Sequence, residues 1–142
     1  MKTVEESREY FRKDVFALEG CGITIDRVED TWAQCSMEVK PGLLNAGGVV
    51  QGGAIFTLCD TAFAVAAIAG GVLTVSQNAS ISFLRPGGGS RLTAVARQVS
   101  SGRSTCVYTV EVRDDCQRLA ALSTVTGFRK PGPTTTQTMT RE

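Results

Sequence analysis

One apolar segment of the chain contains a carboxylate and a pair of glycines, and both could take part in a chemical reaction. The segment "QGGAIFTLCDTAFAVAAIAGG", residues 51–71, contains a single carboxylate, Asp60, and opens with the pair Gly52-Gly53. A carboxylate in such surroundings can serve as a nucleophile or as a general base. A helix that starts without a Ser, Thr, Asp or Asn cap leaves its first amides open to an anion or a polarised carbonyl. The segment therefore predicts an acid and a backbone donor on one helix.

The spacing of these two groups predicts a second subunit. Gly52 and Asp60 are eight residues apart, which is about 12 Å of helix rise. One carbonyl cannot contact both groups of a single chain, but a two-fold axis between antiparallel helices would bring Gly52 of one protomer to Asp60 of its partner. The partner would also cover the helix surface around Asp60, where the neighbouring side chains are small or apolar: Gly53, Phe56, Thr57, Phe63, Ala64 and Ala67.

The residue types that are missing narrow the chemistry further. The 142-residue chain has no histidine, which excludes Ser-His-Asp and Cys-His catalysis and argues against a metal site. A formal net charge of +1 gives no reason to expect nucleic acid as a partner. Five scattered cysteines without a C-x-x-C pair, and a charged N-terminus without a signal-peptide core, predict a cytoplasmic protein with reduced thiols.

The pattern along the chain predicts the elements that position the site. One domain is expected over residues 1–130, with an N-terminal helix at about 4–18 and a central helix at about 52–69, followed by a disordered tail at 131–142. Two alternating segments precede the central helix and four follow it, which predicts an α+β fold with an antiparallel sheet around the helix. The acid and the glycine pairs favour a buried helix over a membrane span.

Alternation also assigns faces to the strand that follows the central helix. In "VLTVSQNASISFLRP" one face is predicted to be apolar and the other polar. The apolar face would carry Leu73, Val75, Ala79, Ile81 and Phe83, and the polar face Thr74, Ser76, Asn78, Ser80 and Ser82.

Three segments give the chain a resemblance to a known family. "LNAGGVVQGGAIFTLCDTAFAVAA", "SISFLRPGGG" and "GRSTCVYTVEV" resemble the hotdog-fold acyl-CoA thioesterases, in particular the phenylacetyl-CoA thioesterase type, over roughly residues 15–129. The resemblance implies a hydrolase that needs no cofactor, because CoA is part of the substrate, and that assembles as dimers paired into a homotetramer. It gives no reason to expect a membrane partner.

The resemblance also implies roles for individual residues. Gly52 would polarise the thioester carbonyl, Asp60 would attack it or activate water, and Asn45 would lie near the carboxylate. The family commonly has histidine just before the two glycines, whereas this chain has Gln51, which can donate a hydrogen bond but cannot transfer a proton near neutral pH. Further substrate contacts are expected from five residues, of which the two arginines are candidates for the phosphates of CoA: Gln51, Gly53, Thr61, Arg85 and Arg103.

Two other functions remain open from the sequence. A hotdog hydratase or dehydratase usually combines a carboxylate with a histidine, which this chain lacks. A non-catalytic acyl-CoA-binding module would keep the helix-start glycine but would have no need of Asp60. The sequence does not choose between phenylacetyl, hydroxyphenylacetyl, benzoyl and medium-chain acyl groups, nor between dimer and tetramer.

Overall fold

The structure is a computed structural model that describes the backbone of residues 1–133 and the side chains of residues 1–130. The helices and strands follow the order that the sequence predicts. They are α1 (Val4–Phe11), β1 (Ile23–Glu29), β2 (Trp32–Glu38), α2 (Gly52–Ile68), β3 (Val72–Phe83), β4 (Arg91–Ser101), β5 (Thr105–Arg113) and β6 (Leu119–Pro133). A π-helical turn at Phe16–Gly20 and a 3₁₀ turn at Pro41–Leu43 complete the set.

The six strands form one antiparallel sheet in the order β1-β2-β4-β5-β6-β3. Alternate residues of each strand face the helix, as the sequence predicts for β2, where Ala33, Cys35 and Met37 are completely buried. The helix α2 contacts every strand of the sheet. The α+β hotdog arrangement, a sheet wrapped around a central helix, is therefore confirmed.

The helix α2 lies close to the sheet because one strand position has no side chain. The Phe63 ring packs edge-to-face on Tyr108 with 5.3 Å between ring centroids. A Cβ atom on Gly127 would lie 2.8 Å from the Phe63 ring and from the Thr74 side chain. Glycine at this position thus sets the distance between helix and sheet. No helix in the described range 1–133 combines the length and the apolar character that a membrane crossing requires.

The strand β3 departs from the faces that simple alternation predicts. Its register with β6 shifts between Ser76 and Asn78, because Gln77 is an extra residue without a counterpart in β6. Such a bulge reverses the phase of the strand. Thr74 is consequently buried and Ser76 reaches the helix, whereas Ala79 and Ile81 beyond the bulge pack against the core. The prediction that Thr74 and Ser76 share one face with Ser80 and Ser82 is wrong, because the bulge lies between the two pairs.

Both ends of the chain differ in length from the predicted elements. The N-terminal helix predicted at 4–18 stops at Phe11, because the Asp14 carboxylate accepts a hydrogen bond from Ala17 N–H at 3.1 Å and starts a separate helical turn. At the other end, β6 continues to Pro133, three residues into the predicted tail. The rest of that tail, residues 134–142, lies outside the described residues.

Candidate active site

The first turn of α2 leaves one backbone donor open. Gln51 N–H donates to the Leu43 carbonyl at 2.8 Å, and Ala54 N–H donates to the Gln51 carbonyl at 2.9 Å. Gly53 N–H donates to Oε1 of Gln51 at 2.5 Å. Within residues 1–130, Gly52 N–H has no acceptor, so it is the amide that can bind an incoming carbonyl oxygen.

The expectation that α2 starts without a side-chain cap is wrong. Gln51 caps the helix with its own amide oxygen. The glutamine side chain is long enough to turn back over the first turn of the helix. It has room there because Gly53 has no Cβ atom, which would lie 2.6 Å from the glutamine oxygen. The cap occupies the Gly53 amide predicted to contact substrate and leaves Gly52 as the open donor.

An aromatic ring lies over Gly52. A Cβ atom at this position would be 3.2 Å from Cζ of Phe83, at the end of β3. Phe83 is 53% exposed, so its ring covers the glycine without being part of the core. Glycine therefore keeps the approach to the open amide free of a second side chain.

The Asp60 carboxylate lies in the middle of α2, half-buried, and is bound by a neutral hydroxyl. Ser76 Oγ donates a hydrogen bond to Oδ1 of Asp60 at 2.5 Å. No lysine or arginine within residues 1–130 forms an ion pair with this carboxylate. The contact fixes one carboxylate oxygen and leaves the charge of the group uncompensated by a cation, as a nucleophile or base requires.

The thiol next to Asp60 cannot take over its role. Cys59 is 1% exposed. Burial, and to a smaller extent the negative charge of Asp60, raises the pKa of the Cys59 thiol to about 12. The thiol therefore stays protonated near neutral pH and is a poor nucleophile.

The threonine hydroxyls of α2 are bound to the helix backbone. Thr57 Oγ1 donates to the Gly53 carbonyl at 2.7 Å, and Thr61 Oγ1 donates to the Thr57 carbonyl at 2.8 Å. Thr61, which the sequence analysis proposed as a substrate contact, is 6% exposed. Its hydroxyl can reach substrate only by giving up this internal bond.

Asn45 organises the loop that leads into α2. Its side-chain oxygen accepts hydrogen bonds from Gly47 N–H at 2.9 Å and from Val49 N–H at 3.2 Å. Its backbone amide donates to the Val49 carbonyl at 2.7 Å. The side-chain Nδ2 donates to no group within residues 1–130, so the loop holds an exposed asparagine with a free donor on the side of the fold where α2 begins.

The two arginines predicted to bind CoA lie at opposite ends of the sheet. Arg85 follows Phe83 by two residues, and its backbone amide donates to the Ala120 carbonyl at 3.3 Å, so it is close to the start of α2. Arg103 lies in the turn between β4 and β5. That turn is on the side where α2 ends, because Ser101 and Gly70 line one cavity there. One protomer does not bring Arg103 to Gly52.

One stripe of α2 stays accessible in the single chain. Gly53 and Phe56 are exposed, and Asp60, Ala64 and Ala67 are half-buried. Phe63, which the sequence placed beside this stripe, is instead fully buried in the core. The stripe contains the Asp60 carboxylate. The open amide of Gly52 in the same chain is out of reach of this carboxylate, because eight residues of helix separate the two groups.

An open cleft of about 350 Å³ adjoins the start of α2. Its walls are mainly apolar and come from the π-helical turn, the 3₁₀ turn and the first turn of α2: Phe16, Gly20, Cys21, Leu43, Leu44 and Gly53. A chain-like ligand lying in this cleft would pass the helix start, where the backbone donor is located.

Sequence reasoning missed two residues of this site. Simple alternation places Ser76 on the polar face of β3 and Phe83 on its apolar face, and it predicts a role in the site for neither residue. The signal for Phe83 is its position at a strand end beside "LRP", but nothing local to "SQN" marks the bulge that turns the exposed Ser76 toward Asp60.

Comparison with known proteins shows the family to which the chain belongs. The family model described as the thioesterase superfamily matches residues 47–121. The acyl-coenzyme A thioesterase PaaI of Escherichia coli is 34% identical over 122 residues, covering 85% of this chain and 86% of that protein. The solved structure of the E. coli PaaI protein from the phenylacetic acid degradation operon superposes with a TM-score of 0.84 and 30% identity, covering 92% of this chain and 95% of that chain.

A second solved structure was determined with a ligand. It is a hypothetical thioesterase protein of Streptococcus pneumoniae with coenzyme A, which has 27% identity and a TM-score of 0.80 and covers 87% of this chain and 99% of that chain. The match to the family model spans the open amide, the carboxylate and its serine partner. The chain is therefore an enzyme of the thioesterase superfamily, with the hotdog fold and with similarity to its PaaI-type members.

Proposed function

We propose that this enzyme hydrolyses acyl-CoA thioesters at a site shared by two copies of the chain. Gly52 of one protomer holds the thioester carbonyl, and Asp60 of the other protomer supplies the carboxylate. The observation that carries the proposal is the pairing of one open amide at a helix start with one carboxylate that has no cation partner. The names of PaaI and of the relative determined with coenzyme A support CoA as the leaving group.

The edge of the sheet supports the shared site. Among the described residues 1–133, the strand β3 pairs with β6 alone, and its 12 residues make a long edge. Long open edges pair readily with another chain. A two-fold axis beside β3 would pair it with its own copy and lay the accessible stripe of α2 against the partner's α2. We propose this dimer as the catalytic unit and a tetramer as its further assembly.

Catalysis begins with the carbonyl oxygen at Gly52. The amide and the positive end of the α2 dipole stabilise the negative charge that develops on this oxygen. Asp60 then acts in one of two ways. Its oxygen attacks the carbonyl carbon, the C–S bond breaks, and water hydrolyses the resulting mixed anhydride. Alternatively, Asp60 takes a proton from a water whose oxygen attacks the carbon, the C–S bond of the tetrahedral intermediate breaks, and the departing thiolate takes up the proton. Both routes release the free acid and CoA thiol.

The neighbouring residues act by positioning. Ser76 fixes Oδ1 of Asp60, so the remaining oxygen is the one that can face the carbonyl. Gln51 holds its own helix and does not transfer protons. Arg85, two residues beyond the Phe83 ring that lies over Gly52, would contact the phosphates of CoA. All five cysteines are free thiols, which supports a cytoplasmic location.

The test is hydrolysis of a panel of acyl-CoA thioesters, monitored by the release of free thiol. We expect wild type to hydrolyse at least one arylacyl- or medium-chain acyl-CoA, and Asp60→Asn to lose about 10³-fold or more in kcat. The matched control is Asp26→Asn on β1, which removes a carboxylate on the far edge of the sheet and should retain the wild-type rate. Binding of acyl-CoA without turnover would instead favour a binding module, and full activity of Asp60→Asn would exclude the proposed acid.

A further inference from the structure

The loop between β3 and β4, residues 84–90 with the sequence "LRPGGGS", carries Arg85 ahead of three consecutive glycines. Within residues 1–130, the Arg85 guanidinium group has no hydrogen-bond or ion-pair partner. A glycine-rich segment has many accessible backbone conformations, so its shape must be fixed by contacts with the rest of the fold. The position of Arg85 beside Gly52 therefore depends on the contacts that hold this loop.

Backbone hydrogen bonds hold the two ends of the β3–β4 loop. At its start, the Ala120 carbonyl of β6 accepts from Leu84 N–H at 2.8 Å and from Arg85 N–H at 3.3 Å. At its end, the Ser90 carbonyl accepts from Val39 N–H at 2.8 Å. The glycines between these ends are not held by either of these contacts.

One carboxylate from the turn between β5 and β6 adds a side-chain contact to the end of this loop. Oδ2 of Asp115 accepts hydrogen bonds from Ser90 N–H at 2.6 Å and from Ser90 Oγ at 2.9 Å. The Ser90 amide and hydroxyl hold the pKa of Asp115 below its usual range, so the group is charged at neutral pH. Hydrogen bonds to a charged acceptor are stronger than neutral ones, and Asp115 therefore fixes the end of the loop.

The backbone of the β3–β4 loop is shaped to receive this carboxylate. Gly89, next to Ser90, has a φ of +75°, and a Cβ atom at this position would collide with the carboxylate of Asp115. A Cβ atom on Gly87 would lie 2.9 Å from Cδ1 of Leu92 in the core. Glycine thus allows the loop to lie against both the β5–β6 turn and the core.

A neighbouring acid fixes the turn that presents Asp115. The buried Asp114 accepts with Oδ1 from Cys116 N–H at 2.9 Å and from Arg118 N–H at 3.0 Å, and with Oδ2 from Arg118 Nε at 3.0 Å. These bonds hold the turn by contacts within itself. The two adjacent acids therefore have different roles, because Asp114 orders its own turn whereas Asp115 contacts the β3–β4 loop.

We propose that Asp115 is a positioning residue for the binding of CoA, because it holds the β3–β4 loop in the conformation that presents Arg85 to the phosphates. This proposal rests on the function proposed above, in which Arg85 contacts these phosphates. Asp115 contacts neither the reacting carbonyl nor the acyl group, and it acts through the loop. Its contribution is therefore confined to thioesters whose thiol carries phosphates.

The experiment compares two thioesters of the same acyl group, the best one from the acyl-CoA panel. One is the CoA thioester, and the other is the thioester of N-acetylcysteamine, a short thiol without nucleotide or phosphates. Asp115→Ala should raise KM for the CoA thioester by about 5-fold or more and leave kcat within about 2-fold. For the N-acetylcysteamine thioester, kcat/KM should stay within about 2-fold of wild type.

Two further variants test whether Asp115 acts through its hydrogen bonds and through Arg85. Asp115→Asn retains an oxygen that can accept from Ser90, and it should recover most of the loss in CoA binding. Arg85→Ala should raise KM for the CoA thioester at least as much as Asp115→Ala. Adding Asp115→Ala to Arg85→Ala should then cause little further loss, because the two residues act in one chain of contacts. Independent, additive effects would overturn the proposal.

The control is Glu111→Ala, which removes a carboxylate from β5 that pairs with Arg113 at 3.1 Å and should leave both substrates unaffected. Equal losses for the two thioesters in Asp115→Ala would show a general structural role and overturn the positioning role. An unchanged KM for the CoA thioester would overturn it as well. Both of these results leave the proposed function intact, whereas failure of wild type to hydrolyse either thioester overturns the function and the positioning role together.

Discussion

The start of α2 offers a backbone group, the Gly52 amide, whereas its middle offers a side chain, the Asp60 carboxylate. The amide depends on what is absent: no Cβ at the glycine, and no acceptor for its N–H within residues 1–130. The carboxylate depends on what is present, a serine from a strand that begins after the helix has ended. The two groups are therefore sensitive to opposite changes. An added side chain or acceptor would impair the Gly52 amide, whereas a removed side chain would impair the Asp60 carboxylate.

The largest expected effect comes from mixing two inactive variants. If the site is shared, Gly52→Pro and Asp60→Asn homodimers each lack one part of both sites, but a heterodimer contains one complete site. Random pairing after co-expression in equal amounts should restore about a quarter of wild-type activity. Activity of differently tagged, doubly purified heterodimers measures this directly. Failure of these heterodimers to regain activity would place both groups in the same protomer.

The second-largest expected effect is the loss of the backbone donor at Gly52. Gly52 is the first residue of α2, a position where proline is tolerated, and Gln51 before it already has the extended backbone that proline requires, with φ −63° and ψ 134°. Gly52→Pro removes the N–H and should lower kcat by about 10²–10³-fold. Gly52→Ala adds a Cβ near Phe83 but keeps the N–H.

The pair of variants separates crowding from loss of the donor. Gly52→Ala should retain clearly more activity than Gly52→Pro, and circular dichroism should show that α2 persists in both. Equal losses in the two variants would mean that the glycine serves packing against Phe83 and not the carbonyl.

The smallest effect concerns the serine that holds the acid. Ser76→Ala removes the hydrogen bond to Asp60 Oδ1, and we expect kcat to fall about 10-fold while KM changes little. Ser76→Thr retains the hydroxyl and should recover most of the loss. The exposed Ser80→Ala on the same strand serves as the control. A change in KM alone, or no recovery with threonine, would argue against a positioning role.

Local patterns predict most of this fold because each pattern is set by residues close in sequence. Alternation places Ala33, Cys35 and Met37 on the buried face of β2, and the glycine pairs mark both ends of α2 within one residue. The resemblance carried by the glycines and Asp60 predicts the family correctly. These features need no knowledge of distant partners.

The features that sequence does not predict depend on pairing between distant segments. The bulge at Gln77 exists because β3 and β6 differ by one residue in register, and only that difference turns Ser76 toward Asp60. The Gln51 cap depends on a side-chain conformation that helix-start statistics do not favour. The break after Phe11 results from a competing cap by Asp14. The spatial relation of Gly52 to the partner's Asp60 remains a prediction.

The extra residue in β3 makes the environment of the Asp60 carboxylate sensitive to the length of this strand. The side chains of a strand alternate between its two faces, and Gln77 adds one residue before this alternation resumes. Deleting that single glutamine would leave every chemical group of the site in the chain, yet it would force either Ser76 away from the acid or the second half of the strand out of the core. Insertions and deletions near this point are therefore a more serious threat to the enzyme than most substitutions in its pocket.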